Sequence, residues 1–269
     1  MALSLTFDEM PEMVAEWAAI HELRVPPIDR RTVAGLLDRM GLGDRSGGFT
    51  WEKHLSWLTT GDDRTTVAIH ELSGGLRYRL RPLQDEPERD VATAPSRLEE
   101  IARGFLDRLG RPNEPLALER ITYLRAQTTA RDGSLLTPST LDAGLIFTRT
   151  VDELPVIGPG GLAMVKIGTD DTVVGGREIW RPIARRGAKV RLRTPDESIE
   201  LLRSRLAASG VDGEIHVRKA RQGYGELGIE EEQKYLEPCY AFLLETVGGL
   251  VDSKKVEVIS AVSAPTTTA

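Results

Sequence analysis

The sequence predicts an α+β fold of tandem helix-plus-antiparallel-sheet modules, on three observations. A short helix ending in glycine recurs near Asp29–Gly41, Ser96–Gly110 and Thr194–Gly210. Strand-like stretches follow each helix. Each helix also carries a single apolar face, which needs a sheet to cover. The expected organisation is N-terminal helices and a partial first module over 1–83, a second module over 94–183, a third over 190–262, and a loose tail over 263–269.

The chain opens with Met10, Met13, Val14 and Trp17 at helical spacing, which predicts an amphipathic helix stopped by Pro26-Pro27. Asp29 then caps a helix striped by Val33, Leu36, Leu37 and Met40 and ended by Gly41. Strands are expected at Phe49–Leu58 and Thr65–Glu71. After the Ser73-Gly74-Gly75 turn, Leu76, Tyr78 and Leu80 alternate with Arg77, Arg79 and Arg81, one face buried and one wet. Gln84–Thr93 is charged, contains proline and reads as a loop.

In the second module, Ser96 and Glu99 have the spacing of a capping box. Leu98, Ile101, Ala102, Phe105, Leu106 and Leu109 make the apolar stripe before Gly110 and Pro112. Strands follow at Leu118–Gln127, Gly144–Val151, Gly161–Ile167 and Thr172–Trp180. The third module starts with a Thr194/Glu197 capping box and Pro195 at the first helical position. Its stripe is Ile199, Leu202 and Leu206, and its strands are Gly213–Lys219, Tyr235–Thr246 and Lys255–Val262.

The stretch LIFTRTVDELPVIGPGGLAMVKIGTDDTVVGGREIWRP (Leu145–Pro182), preceded by the Leu98–Leu109 helix, resembles the PepSY and YycH/YycI-type group of bacterial modules. The phrase QKYLEPCYAF (Gln233–Phe242) adds to the likeness, which spans roughly Ser96–Val262. The resemblance implies tandem cystatin-like folds and a regulatory or peptidase-restraining role. It rests on apolar and glycine positions, not on chemical signatures.

Composition narrows the function. The chain has 269 residues, 40% hydrophobic and 28% charged, with a net charge of −6. That balance disfavours non-specific binding to nucleic acid or to an anionic membrane. No apolar run approaches a bilayer span. The first 19 residues carry Asp8, Glu9, Glu12 and Glu16 without Lys or Arg, unlike a secretory signal, so a cytoplasmic location is expected. A single cysteine, Cys239, allows no internal disulfide.

Candidate chemistry is sparse. His21, His54, His70 and His216 show no ligand spacing, so neither a metal nor another cofactor is expected. His216 alternates with Glu214 and Arg218 along a strand, as a general acid–base or as one rung of a charge ladder. Cys239, in an apolar strand, reads as packing. Gly158-Pro159-Gly160-Gly161 lacks the following helix that a phosphate loop needs, and reads as a turn. A ligand site is expected at the seam between the second and third modules. There Trp180, Arg181 and Arg185 supply stacking and anion pairing, Tyr235 rims a pocket, and the glycine-rich Gln222–Lys234 loop acts as a flap; the competing reading leaves the arginines solvated, Trp180 filling a core gap and the loop a solvated hairpin connection. The expected function is therefore a non-catalytic binding or regulatory protein holding a peptide, protein or small-molecule partner on its sheet surfaces or in its inter-module groove. The alternative is a cytoplasmic small-molecule cyclase, isomerase or hydrolase with a cavity between helix and sheet.

Overall fold

Alternating apolar and polar residues dominate this chain, and most of them fold into one sheet. The computed structural model describes residues 3–25, 27–43, 48, 50–52, 55–59, 65–80, 93–110, 115–127, 129, 133, 138–211, 213–246 and 254–263. The strands of the first half are β1 (Ser4–Phe7), β2 (Trp17–Ala19), β3 (His21–Leu23), β4 (Thr50–Glu52), β5 (Leu55–Thr59), β6 (Thr66–His70) and β7 (Gly75–Arg79). They are followed by β8 (Leu116–Ala126), β9 (Ser139–Val151), β10 (Leu154–Ile157), β11 (Leu162–Gly168) and β12 (Val173–Ile179). The rest are β13 (Ile183–Arg185), β14 (Lys189–Arg191), β15 (Glu214–Gly225), β16 (Tyr235–Thr246) and β17 (Lys254–Ser260). The helices are α1 (Arg30–Arg39), α2 (Pro95–Arg108) and α3 (Pro195–Ala208).

Fifteen strands form a single mixed sheet in the order β13-β3-β16-β15-β10-β9-β11-β12-β7-β6-β5-β4, with β1 on β15, β17 on β16 and β8 on β9. Strands β2 and β14 make a small separate ladder. The joint of the large sheet is β10. It returns antiparallel on β9 through a turn whose residues Asp152 and Glu153 both have positive φ (46° and 67°), a twist that suits a two-residue hairpin. It then pairs in parallel with β15, Val156 opposite Tyr224.

This arrangement overturns the tandem cystatin-like α+β plan. A tandem module must close its own sheet around its own helix. Here β7 pairs with β12, β1 and β10 with β15, and β3 with β16, so residues from all parts of the chain share one sheet. The protein is mainly β, and the helices are covers on that sheet.

The apolar stripes do make two cores. In the first, Leu37 of α1 and Leu98, Ala102 and Leu106 of α2 pack on Leu145, Phe147 and Val165 of the sheet. In the second, Leu202 and Leu206 of α3 pack on Val217, Tyr240 and Phe242. Asp29 caps α1 by accepting from the Thr32 amide at 2.8 Å. Thr194 and Glu197 form both bonds of the capping box on α3, at 3.2 and 2.7 Å. The box expected on α2 is absent. Pro95, with its φ fixed for the first turn, starts the helix two residues earlier than a Ser96 cap would, which makes Ala94 the N-cap and leaves Ser96 inside the helix. Glu99 instead pairs with Arg103 at 2.7 Å.

The expected N-terminal helix does not form either. Met10, Met13, Val14 and Trp17 are exposed. The buried Gln222 accepts from the amides of Val14 and Ala15 at 2.7 Å and donates to the Ala15 carbonyl at 2.8 Å, holding the segment open along β15. His54, Pro26, Pro112, all of the Gln84–Thr93 loop but Thr93, and the tail after Ser263 lie outside the described residues.

Candidate functional site

The seam residues do not assemble into one pocket. Trp180 and Arg181 are buried, at 4% and 0% exposure, while the Arg185 and Tyr235 side chains are exposed. Arg185 and Tyr235 flank one strand. They sit on β13 and β16, each opposite Glu22 of the intervening β3, and Arg185 pairs with that carboxylate at 3.0 Å. Trp180 lies instead under the Arg149 guanidinium, 5.1 Å from the ring centroid.

Arg181 belongs to a buried ionic cluster. Glu226 stands 3.1 Å from Arg149 and 3.4 Å from Arg181, and all three side chains are shut off from water. Arg149 also donates to the Arg181 carbonyl at 2.9 Å, and the Arg181 amide donates to Glu226 at 3.0 Å. Burial raises the Glu226 carboxyl above its ordinary range and lowers the Arg181 guanidinium; each opposite charge pulls its partner back. The glycines of the Gly158–Gly161 turn let Glu226 reach this position. A Cβ on Gly158 would sit 2.5 Å from the Glu226 carbonyl, and one on Gly160 would sit 2.4 Å from the Leu227 carbonyl. That turn is a seat for a backbone, not for a phosphate.

The same cluster fixes the loop expected to be a flap. The Arg181 guanidinium donates to the carbonyls of Leu227, Gly228 and Glu231, and the Ser73 hydroxyl donates to Ile229. Gln233 closes the loop by accepting from the Leu227 amide and donating to the Gly225 carbonyl. A buried arginine holding three carbonyls anchors this loop where the composition suggested a hinge.

His216 lies between the Thr6 hydroxyl at 3.3 Å and the Asp8 carboxylate at 2.6 Å. Asp8 is held below its usual range by the hydrogen bond from His216, and Arg218 lies 3.5 Å from it. Arg218 continues the line to Glu245, and Lys254 joins Glu245 at 3.8 Å. Each charge in the row is engaged by its neighbour, which is the geometry of a charge ladder. Burial drives the Cys239 thiol up to about 12, which leaves it inert as a nucleophile. Among the described residues no group of three His, Cys, Asp or Glu side chains is placed to hold a metal.

A cavity of about 600 Å³ opens on the sheet face away from the helices. Register builds it. On that face Arg77 of β7 lies opposite Arg177 of β12, which lies opposite Met164 of β11. In the next row Arg79 lies opposite Gly175, which lies opposite Lys166. Gly175 thus lies between Arg79 and Lys166, with Arg77 and Arg177 two residues away along the strands. Gly175 packs close against β7, where a Cβ would press on the Tyr78 carbonyl at 2.9 Å. Ala68, Met164 and Val174 supply apolar walls.

Lys166 and Arg77 each have a carboxylate nearby. Lys166 pairs with Asp142 at 3.3 Å, and Arg77 with the exposed Glu230 at 3.8 Å. Arg79 donates to the Thr66 hydroxyl. Arg177 has no partner among the described residues. Sequence reading placed Arg77 and Arg79 on a wet face of β7 but assigned them no ligand. It missed Arg177 and Lys166, because only the pairing of β7 with β12 and of β12 with β11 brings them there.

No family model matches the chain, and no curated protein matches it. Among solved structures it is similar to an uncharacterized protein from Eubacterium rectale ATCC 33656, with a TM-score of 0.56 at 9% identity, covering 96% of this chain and 89% of that one. At that identity the likeness concerns the fold alone.

Proposed function

We propose that this is a binding protein whose open sheet face, centred on Gly175, receives an anionic small molecule. One observation carries the reading: a cavity of about 600 Å³ with an apolar floor is ringed by Arg77, Arg79, Arg177 and Lys166, in a chain whose net charge is −6. Clustered cations around a concave low-dielectric surface focus potential on an anion even when the whole protein is acidic. Arginine suits the task because its planar fork matches carboxylate and phosphate oxygens.

The apolar anion 8-anilinonaphthalene-1-sulfonate tests the reading. It binds at this face, and Arg77→Ala and Arg177→Ala each weaken it about tenfold, or 1.4 kcal/mol. The neutral N-phenyl-1-naphthylamine is insensitive to both changes. Binding of the sulfonate that ignores both replacements overturns the proposal. No helix of the described residues is long and apolar enough to cross a membrane.

A further inference from the structure

The two rows of cations on this face are spaced for two anionic groups, and we infer that the ligand is a dianion with an apolar spacer, its charges about 7 Å apart. This inference rests on the anion-binding reading above and narrows it.

The first anion position lies between Arg77 and Arg177. They are direct cross-strand partners, so their Cβ atoms stand about 4.5–5.5 Å apart and their charges repel. Two parallel guanidiniums at that spacing can share one phosphonate or carboxylate, which turns the repulsion into chelation. Arg177 has no partner among the described residues, and Arg77 has only the loose contact with Glu230, so neither is committed elsewhere.

The second position lies over Gly175. Arg79 and Lys166 flank that glycine on the neighbouring strands, and no side chain stands between them. Asp142 takes up part of the Lys166 charge, so this position is the weaker of the two. The rows are two residues apart along each strand, which sets the separation of roughly 7 Å. Ala68 and Met164 close the two ends of the arginine row and give the cavity apolar surface there.

Glu230 sets a further condition. Its loop is fixed by Arg181 and by Ser73, and its carboxylate is held near Arg77, where it competes with the first anion.

Calorimetric titration of the full chain with methylphosphonate, ethylene-bisphosphonate and butylene-bisphosphonate tests this. Butylene-bisphosphonate, whose phosphorus atoms reach the row spacing, binds about tenfold tighter than the shorter homologue and than methylphosphonate. Arg177→Ala and Arg79→Ala each remove that advantage, and Glu230→Gln tightens binding. Equal affinity for all three probes, still lost in Arg177→Ala, overturns the dianion inference and leaves the anion site standing. Absence of binding by all three and by the anilinonaphthalene sulfonate overturns both.

Discussion

The Arg149 guanidinium stands 3.1 Å from the Glu226 carboxylate at the joint between the two cores, with neither side chain touching water. Arg149 is the last buried cation on β9 before its hairpin, and Glu226 follows β15 directly, so the pair ties the strands that β10 bridges. Removing the shared carboxylate leaves two arginines buried together. Glu226→Ala is therefore expected to cost about 3–5 kcal/mol in urea unfolding, because an uncompensated buried charge remains. A loss below about 1 kcal/mol shows that water reaches the cluster.

Phe105 sits mid-stripe on α2 with 3% exposure, its ring 5.5 Å from that of Tyr78. It packs against Tyr78 of the sheet, and the Arg108 guanidinium lies over its ring, 5.6 Å from the centroid. Phe105→Ala should lower stability by about 3–5 kcal/mol. An equilibrium unfolding midpoint close to the parent's shows that this face is not core.

Acidification gives a third test. Burial lowers the pKa of His21 and of His70, although Asp152 pulls the first back and Glu230 the second. Just below about pH 6.5 the unfolded chain takes up protons at these residues that the folded chain refuses, so stability falls as pH drops. Asp8, Asp29 and Glu245 are held below their ordinary values by hydrogen bonds from His216, Thr32 and Arg218, and add a further loss in the carboxylate range. Between about pH 7 and pH 5 the slope of unfolding free energy should shrink in a His21→Gln, His70→Gln double variant. An unchanged slope assigns the effect to other groups.

Local signals were legible in this sequence and distant ones were not. The caps at Asp29 and Thr194 and the stripes of α1, α2 and α3 depend on neighbours three or four residues away. The alternation of β7 depends on residues two apart. By contrast, Met10, Met13, Val14 and Trp17 mimic a helix, and only Gln222, far along the chain, shows why the segment stays extended. The strand β10 is four residues long and leans on both β9 and β15, so no periodicity reveals it. That joint merges the modules into one sheet. The Arg149–Glu226–Arg181 cluster has no spacing at all. Trp180 and Arg181 looked like ligand groups because an aromatic and a cation side by side suit recognition equally well before and after burial.

The arginine pair on the open face sets stability against binding, and that conflict can be measured. Arg77 and Arg177 are direct cross-strand neighbours of like charge, an arrangement that destabilises a sheet by roughly 0.2–1 kcal/mol. Replacing Arg177 with threonine, a good strand former, removes the repulsion and keeps the ladder intact. Arg177→Thr is expected to raise stability by that amount at low salt and by much less near 1 M salt, where screening already suppresses the repulsion. The same variant should lose the anilinonaphthalene sulfonate. Lys166→Thr provides the contrast, because it leaves the nearly buried Asp142 carboxylate without the ammonium 3.3 Å away and should destabilise at any salt concentration. If Arg177→Thr proves less stable than the parent at low salt, the two arginines are not in conflict. The face then owes its charge to packing, not to a ligand.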